Sequence, residues 1–307
     1  MDYPKSVPSV GLVGGKFVDE NQATGVVGSL IPSQWGNAVT DEMLAVIKAA
    51  GLAPDEANNG QLLAALQDML RKSAGRLLRT SIYTLIAGVQ MVSVNGGAFT
   101  AVGAGTWNPL ADTKAIEYEV MAGGAAGAGC AAAGSNQISI AGGGSGGTYA
   151  RGYLASGIPS ALAVSVGAGG LGVAAAPGQP GGSSSLGSLI TCPGGTSSAM
   201  GSTIAPGTTP FIAGGIDQSL PPNGTYQYAV RGGEGVYGAF FSSGGFVSGH
   251  GGGSAYGPGG APVSSYLNGK NAVNYGAGGS GSLTTSGNGA TVGGSGKEGI
   301  VIVREYA

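Results

Sequence analysis

Apolar positions follow two rhythms in the first part of this chain and almost none in the rest. From residue 40 the spacing is helical. Met43, Leu44, Val46 and Ile47 share a face, Thr40 is placed to N-cap, Asp41 and Glu42 fill the first turn, and Gly51 is placed as a stop. A second helix is predicted after Asn59, with Leu62, Leu63, Leu66, Met69 and Leu70 at 3.6-type spacing and Arg71 and Lys72 in the last turn. Neither helix is long enough to be stable alone in water, so they must pack on each other, on other copies of the chain or on a docking partner. Met1–Ile31 has prolines, glycines and little periodicity, and is expected to be extended or loop-like.

From Arg76 the period changes to two. Leu77–Tyr83 and Val89–Val94 are β-rich, and Ile116–Val120 alternates so that Glu117 and Glu119 leave the buried face. Further strands are predicted at Leu162–Val166, around Leu189–Thr191, and at Ile300–Arg304. The last is a nearly continuous apolar run, as in a strand covered on both faces, and a terminus so hydrophobic is expected to be pinned inside a sheet.

Composition changes the picture behind residue 122. Of 65 glycines, 51 lie in 123–307, with only nine of the 28 charges; residues 1–122 hold 14 glycines and 19 charges. The chain is therefore divided into an attachment region over 1–76, a β-rich connection over 77–122 and a glycine-rich domain over 123–307. Each glycine costs about 0.5–1 kcal/mol more than alanine to order in a regular element. Leu, Ile, Val and Phe make up only about 17% of that domain, so its side-chain core is thin. Two sources can meet the deficit: backbone-to-backbone hydrogen bonding that only glycine permits, and burial between identical chains. The expected class is mainly β, with a short helical N-terminal region followed by a β-rich, glycine-rich domain. Polyglycine-type segments are expected within it.

Several functions fall away. The glycines lack the Gly-X-Y period of collagen. A net charge of −2 with mean hydropathy +0.20 is unlike charge-driven disorder. There is no basic stripe for nucleic acid and no bilayer-length apolar run. Met1–Val18 carries no apolar signal-peptide core, so synthesis in a cytoplasm is expected. Cys130 and Cys192 are read as small buried or semi-buried thiols, and His250 is the sole histidine, so neither a metal nor a cofactor is expected.

Chemical motifs are mimicked by composition. Val164–Gly172 fits G-x-G-x-x-G after a strand, but Pro177 and Pro180 follow where a helix is needed, and the next acid is Asp217. Gly143–Gly147 imitates a nucleophile elbow, and Gly296-Lys297 lacks the rest of a phosphate loop. Asp217 and Glu234 are a conceivable carboxylate pair without supporting context, so no enzyme is expected. Nine of 20 aromatics fall within Tyr226–Tyr275 among glycines. Aromatic rings on small polar loops suit binding, because they offer rigid area at low entropy cost. Tyr226, Tyr228, Tyr237, Phe240, Phe241, Phe246 and Tyr256 are therefore the candidate receptor contacts, with pegs filling a core as the alternative.

Two stretches carry a resemblance. One comprises Asn21-Gln-Ala-Thr-Gly-Val-Val-Gly-Ser-Leu-Ile-Pro-Ser-Gln-Trp35, Asn37-Ala-Val-Thr-Asp-Glu-Met-Leu44, Ala50-Gly-Leu-Ala-Pro-Asp55, Asn59 and Gln61-Leu-Leu63. The other comprises Arg76-Leu-Leu-Arg79, Val120-Met-Ala-Gly-Gly124, Val164-Ser-Val-Gly-Ala-Gly-Gly170, Gly181-Gly-Ser-Ser-Ser-Leu186 and Gly299-Ile-Val-Ile-Val-Arg-Glu-Tyr306. They resemble the N-terminal segment and the glycine-rich C-terminal domain of tail fibres from tailed bacteriophages and prophages of Gram-negative bacteria. The resemblance implies a homotrimer in the virion, intertwined or side by side, held to the baseplate by its N-terminal region and touching a host surface receptor, a glycan or an appendage, at the other end. It implies no catalytic residue. Ala125–Ala133 departs from the pattern with alanine where such domains more often have glycine, which puts a lattice of glycine helices there in doubt. A purely structural fibre, the fibre of a contractile bacteriocin and a depolymerase are the competing readings.

Overall fold

The computed structural model describes residues 4–5, 7–71, 75–205, 211–213, 216–242 and 245–307. They fall into two compact units, Met1–Arg76 and Leu77–Ala307.

The first unit holds α1 (Ser33–Ala49) and α2 (Gln61–Arg71). Gly51 ends α1 as expected. It sits at φ +81° while its own N–H reaches the Lys48 carbonyl and the Leu52 N–H reaches Ile47, a Schellman closure. The start of α1 differs from expectation. Pro32 is the N-cap, extended at φ −63° and ψ 141° and without a side-chain cap, and Thr40 lies mid-helix with its hydroxyl turned back onto the Gly36 carbonyl at 2.9 Å.

The second unit is built from β1 (Leu77–Ile86), β2 (Val89–Val94), β3 (Thr100–Ala101), β4 (Thr106–Trp107), β5 (Ala115–Met121), β6 (Ile138–Ile140), β7 (Tyr149–Leu154), β8 (Leu162–Ser165) and β9 (Ser184–Leu186). It continues with β10 (Ile190–Cys192), β11 (Ser202–Ile204), β12 (Phe211–Ala213), β13 (Asn223–Gly224), β14 (Tyr228–Val230), β15 (Gly238–Ser242), β16 (Gly245–Val247), β17 (Leu283–Thr284) and β18 (Ile300–Tyr306). A seven-stranded sheet in the order β14-β7-β5-β18-β1-β2-β3 packs on a five-stranded sheet, β13-β10-β9-β8-β4. Trp107, Ile116, Tyr118, Val120, Leu186 and Val303 fill the space between them. The C-terminal strand is pinned as expected, between β5 and β1. Glu305 is fully buried at its end. Its carboxylate accepts from Trp107 Nε1 (3.0 Å), Leu110 N (2.9 Å) and Thr113 Oγ1 (2.8 Å), and pairs with Arg79.

Behind the sheets the chain shuttles back and forth as extended rods: 122–130, 141–148, 166–172, 176–183, 193–201, 231–237, 248–253, 258–263, 268–272, 276–282 and 291–299. The first rod shows the rule. Ala122, Ala125 and Ala128 donate their N–H to Thr148, Ser145 and Gly142. Gly123, Ala126 and Gly129 donate to Gly182, Gln179 and Ala176, and Gly124, Gly127 and Cys130 to Lys297, Gly294 and Thr291, all at 2.9–3.1 Å. Every third residue faces the same neighbour, and no bond closes within the rod. That is the three-residue turn of a polyproline II-type helix. Its carbonyls accept in turn from Gly195 and Gly201, from Gly170, and from Gly279 and Ser282, so six rods surround one. The rod 276–282 repeats the pattern, with Gly278, Gly279, Ser280, Gly281 and Ser282 donating to three different neighbours.

Such packing demands glycine for closeness, not for unusual φ. A Cβ on Gly124 would stand 2.1 Å from the Ala277 carbonyl oxygen, and one on Gly278 2.1 Å from that of Gly144. The alanine-rich stretch lies at the centre of this array, which corrects the doubt raised by its composition. Ala125, Ala126 and Ala128 are fully buried, and Ala128 closes a small apolar cluster with Cys130 and Ala141. Prolines keep to the outside. Pro177 and Pro180, three residues apart, occupy the exposed row of their rod, where a missing N–H breaks no rod-to-rod bond. Among the described residues no buried side-chain nitrogen or oxygen lacks a partner.

The composition break near residue 122 is no boundary between units. It is where β5 becomes a rod.

Candidate functional site

Because successive rods alternate in direction, the connections gather at two ends. One is the sheet end, where β5, β7, β8, β9, β10, β14 and β18 adjoin rods. The other, the far end, carries the small sheets β11-β6-β17 and β12-β15-β16. Ile138, Ile140, Leu283 and Val263 form a core there together with Phe240.

This divides the seven candidate aromatics. Tyr226 and Tyr228 lie at the sheet end, where Tyr228 pairs with Arg151 across β14 and β7. Tyr256 is there too, its ring edge-on to Tyr149 at 6.1 Å and to Tyr275 at 6.2 Å. Tyr237, Phe240, Phe241 and Phe246 are at the far end, but not all face outward. Phe240 is 1% exposed, a peg of the far-end core, and Phe246 is half-buried against it. Phe241, the next residue along β15, is 63% exposed. The period of two in β15 alternates one ring in and one ring out. Phe240 is therefore withdrawn as a contact residue.

The far end exposes further apolar and aromatic residues outside the seven candidates. Val173, Met200, Tyr266 and Leu267 are exposed there beside Tyr237 and Phe241. The signal was faint, since Met200 and Val173 are single apolar residues at rod ends and only the topology brings them to one side. Charge separates the ends most sharply. The far-end segments 131–140, 173–176, 200–205, 211–213, 238–242, 245–247, 264–269 and 283–290 contain no charged residue. Their loops are braced by neutral groups: Asn136 N–H donates to Ser286 Oγ (2.9 Å), Gly134 N–H to Gln137 Oε1 (3.0 Å), and Gly287 N–H to the Ala133 carbonyl (3.0 Å).

The sheet end is built oppositely. Arg304 donates to Glu119 at 2.6 Å, the Tyr149 hydroxyl donates to the same carboxylate at 2.9 Å and that of Tyr256 at 3.3 Å, while Arg151 pairs with Glu117. Burial pushes the Glu119 carboxyl up, but the bonds from Arg304 and Tyr149 outweigh it and hold the group below the usual carboxylate value. Burial, followed by the Glu119 charge, pushes the Tyr149 and Tyr256 phenols well up.

One open hollow of about 530 Å³ lies on the flank of the rods, lined by Ile216, Asp217, Glu234, Gly235, Val236 and Tyr237. Asp217 and Glu234 are exposed, and neither carboxylate has a side-chain partner among the described residues. Within the same residues no group of His, Cys, Asp and Glu is arranged to hold a metal, and no helix is long and apolar enough to cross a membrane. Cys192 is buried, its thiol pushed up by burial to about 12.

The rods, the carbonyl-to-glycine contacts and the terminal strand all lie within the span of one known family. A family model described as a glycine-rich domain matches residues 100–306. The chain belongs to this glycine-rich domain family. The match begins at β3 and ends at the last residue of β18, so in this member the glycine-rich domain takes in both ends and all the rods. No curated protein matches the chain.

Proposed function

We propose that this chain is the tail fibre of a tailed bacteriophage, an adhesin that attaches the virion to a receptor on the host surface without chemistry of its own. One observation carries the reading: the far end of the rods is free of charge, braced by neutral hydrogen bonds, and exposes Val173, Met200, Tyr237, Phe241, Tyr266 and Leu267. Apolar and aromatic side chains on a rigid neutral frame bind at low entropy cost. The resemblance of both ends of the sequence to tail fibres supports the same reading. The first unit then docks on the baseplate. The fibre is a homotrimer whose glycine-rich domains stand side by side, because rods and sheets are hydrogen-bonded within one chain and the glycines need no second chain to complete their bonds.

The test is competition. Purified protein is expected to block adsorption of the phage to its host. The triple variant Tyr237→Ser, Phe241→Ser, Tyr266→Ser is expected to lose the block while keeping its melting temperature. Inert wild-type protein would sink the adhesin reading and leave a structural fibre. Blocking should also change little with salt, since the far-end segments are uncharged and, of the three substituted rings, Tyr237 alone lines a hollow with carboxylates, Asp217 and Glu234; a steep fall between low and high salt counts against the far end as the contact.

A further inference from the structure

The hairpin of β1 and β2 runs on past the last pair that β1 makes with β18, Thr84 opposite Ile300. Its tip overhangs the rods 166–172 and 291–299 and leaves a second open hollow of about 530 Å³ there, at the sheet end. The walls are held in place. Gln90 clamps the hairpin to the end of β8 and the rod that follows, its carboxamide donating to the Val164 carbonyl and accepting from the Val166 N–H, both at 2.9 Å. The Thr84 hydroxyl donates to the Gly299 carbonyl at 3.4 Å. Tyr275 is fixed as well, its ring edge-on to Tyr256 at 6.2 Å and its carbonyl accepting from Ser254 Oγ at 2.7 Å. A site formed in advance loses little freedom when a ligand arrives.

The lining is mixed. Ile86, Phe99 and Leu171 are 45%, 39% and 61% exposed, and Tyr275 is half-buried. On the same hollow Lys297 Nζ meets Glu298 Oε1 at 2.8 Å. The pair spends one of three ammonium hydrogens and one of two carboxylate oxygens on itself, which leaves donors and an acceptor side by side without net charge. An anion is poorly served. Gly296-Lys297 does lie here beside Ala168 and Gly169 of the G-x-G-x-x-G look-alike, but Glu298 cancels the lysine charge, and among the described residues no helix N-terminus lines the hollow. A wholly apolar ligand would strip water from both ions and return no hydrogen bond. A neutral sugar meets both demands. Its C–H faces lie on aromatic rings, while its hydroxyls donate to a carboxylate and accept from an ammonium.

We propose that this hollow binds a neutral saccharide, with Phe99 and Tyr275 carrying the ring faces and the Lys297–Glu298 pair reading the hydroxyls. The site lies at the end opposite Tyr237 and Phe241, and it stands whether or not the far end holds the receptor.

Saturation-transfer NMR on the full-length protein tests it, with glucose, galactose and N-acetylglucosamine as probes. Transfer from wild-type protein to at least one of them is expected. Phe99→Ser should weaken that binding about tenfold while the melting temperature holds, because the ring is a surface one. Lys297→Met, which keeps both rings and removes the donor, should weaken it by a similar factor. The far-end variant Tyr237→Ser, Phe241→Ser, Tyr266→Ser is expected to bind the sugar as wild type does, even where it has lost the block of adsorption. No transfer to any of the three sugars, or binding that survives either Phe99→Ser or Lys297→Met, overturns the site. Loss of transfer in the far-end variant places the sugar at the other end and overturns it too. Displacement of the sugar by inorganic phosphate would mark an anion site and overturn the neutral assignment.

Discussion

Between the two large sheets, Trp107, Ile116, Tyr118 and Leu186 make a core out of side chains; among the rods, Gly124, Gly127 and Gly278 make one out of main chain. The first is held by removing apolar surface from water, a force that tolerates changes of shape. The second is held by directional bonds of about 0.5–1.5 kcal/mol net each, made between backbones that touch. Side-chain cores degrade by degrees as atoms are removed, whereas an array of touching backbones has no slack for an added atom.

The sharpest way to break this comparison is to add a methyl-bearing side chain to the array. Gly124→Val or Gly278→Val should cost more than about 4 kcal/mol and leave no cooperative melt of the second unit by circular dichroism. A variant that melts normally would mean the rods are looser than their bonds imply. Glu305→Ala comes next, at about 3–5 kcal/mol in chemical denaturation, because it strands Arg79 and three donors at the end of β18. Ile116→Ala should cost about 2–5 kcal/mol, the ordinary range for emptying a side-chain core.

Acid and alkali act more gently on the sheet end. Glu119 is held below its usual value, so its contribution is present above pH 4.5 and is lost as pH falls below that. Tyr149 and Tyr256 are pushed above theirs, so theirs is present below pH 10 and is lost as pH rises past it. Thermal melts across pH should therefore fall on both sides, and Glu119→Gln should flatten the acid limb. A persistent acid limb would place the titrating group elsewhere. The smallest effect is calorimetric. Exposing polar backbone lowers the heat capacity of unfolding while apolar exposure raises it, so the whole chain should fall below the ordinary value of about 12–15 cal/mol/K per residue.

How much could be read in advance follows the same divide. Both helices, β1, β2, β5 and the buried β18 were legible, because side-chain periodicity reports elements that pack by side chains. The start of α1 was missed, since Pro32 was less conspicuous than Thr40, which stands directly before Asp41 and Glu42. The array was legible only as a need for close backbones. Glycine and alanine carry no hydropathy rhythm, and the partners of Gly124 lie at Lys297 and Gly170, far off in sequence. The same blindness affected the candidate site. Nine aromatics close in sequence became two groups at opposite ends, because each rod carries the chain from one end to the other.

The pairing of β1 with β18 has a practical consequence. Leu77 lies opposite Tyr306, so the second unit begins and finishes in adjacent strands of one sheet, at the end away from Tyr237 and Phe241. A label, affinity tag or fused reporter placed after Ala307 therefore emerges at the sheet end. The opposite end stays clear, and the protein can be immobilised by its C-terminus on a sensor with its exposed rings facing solution.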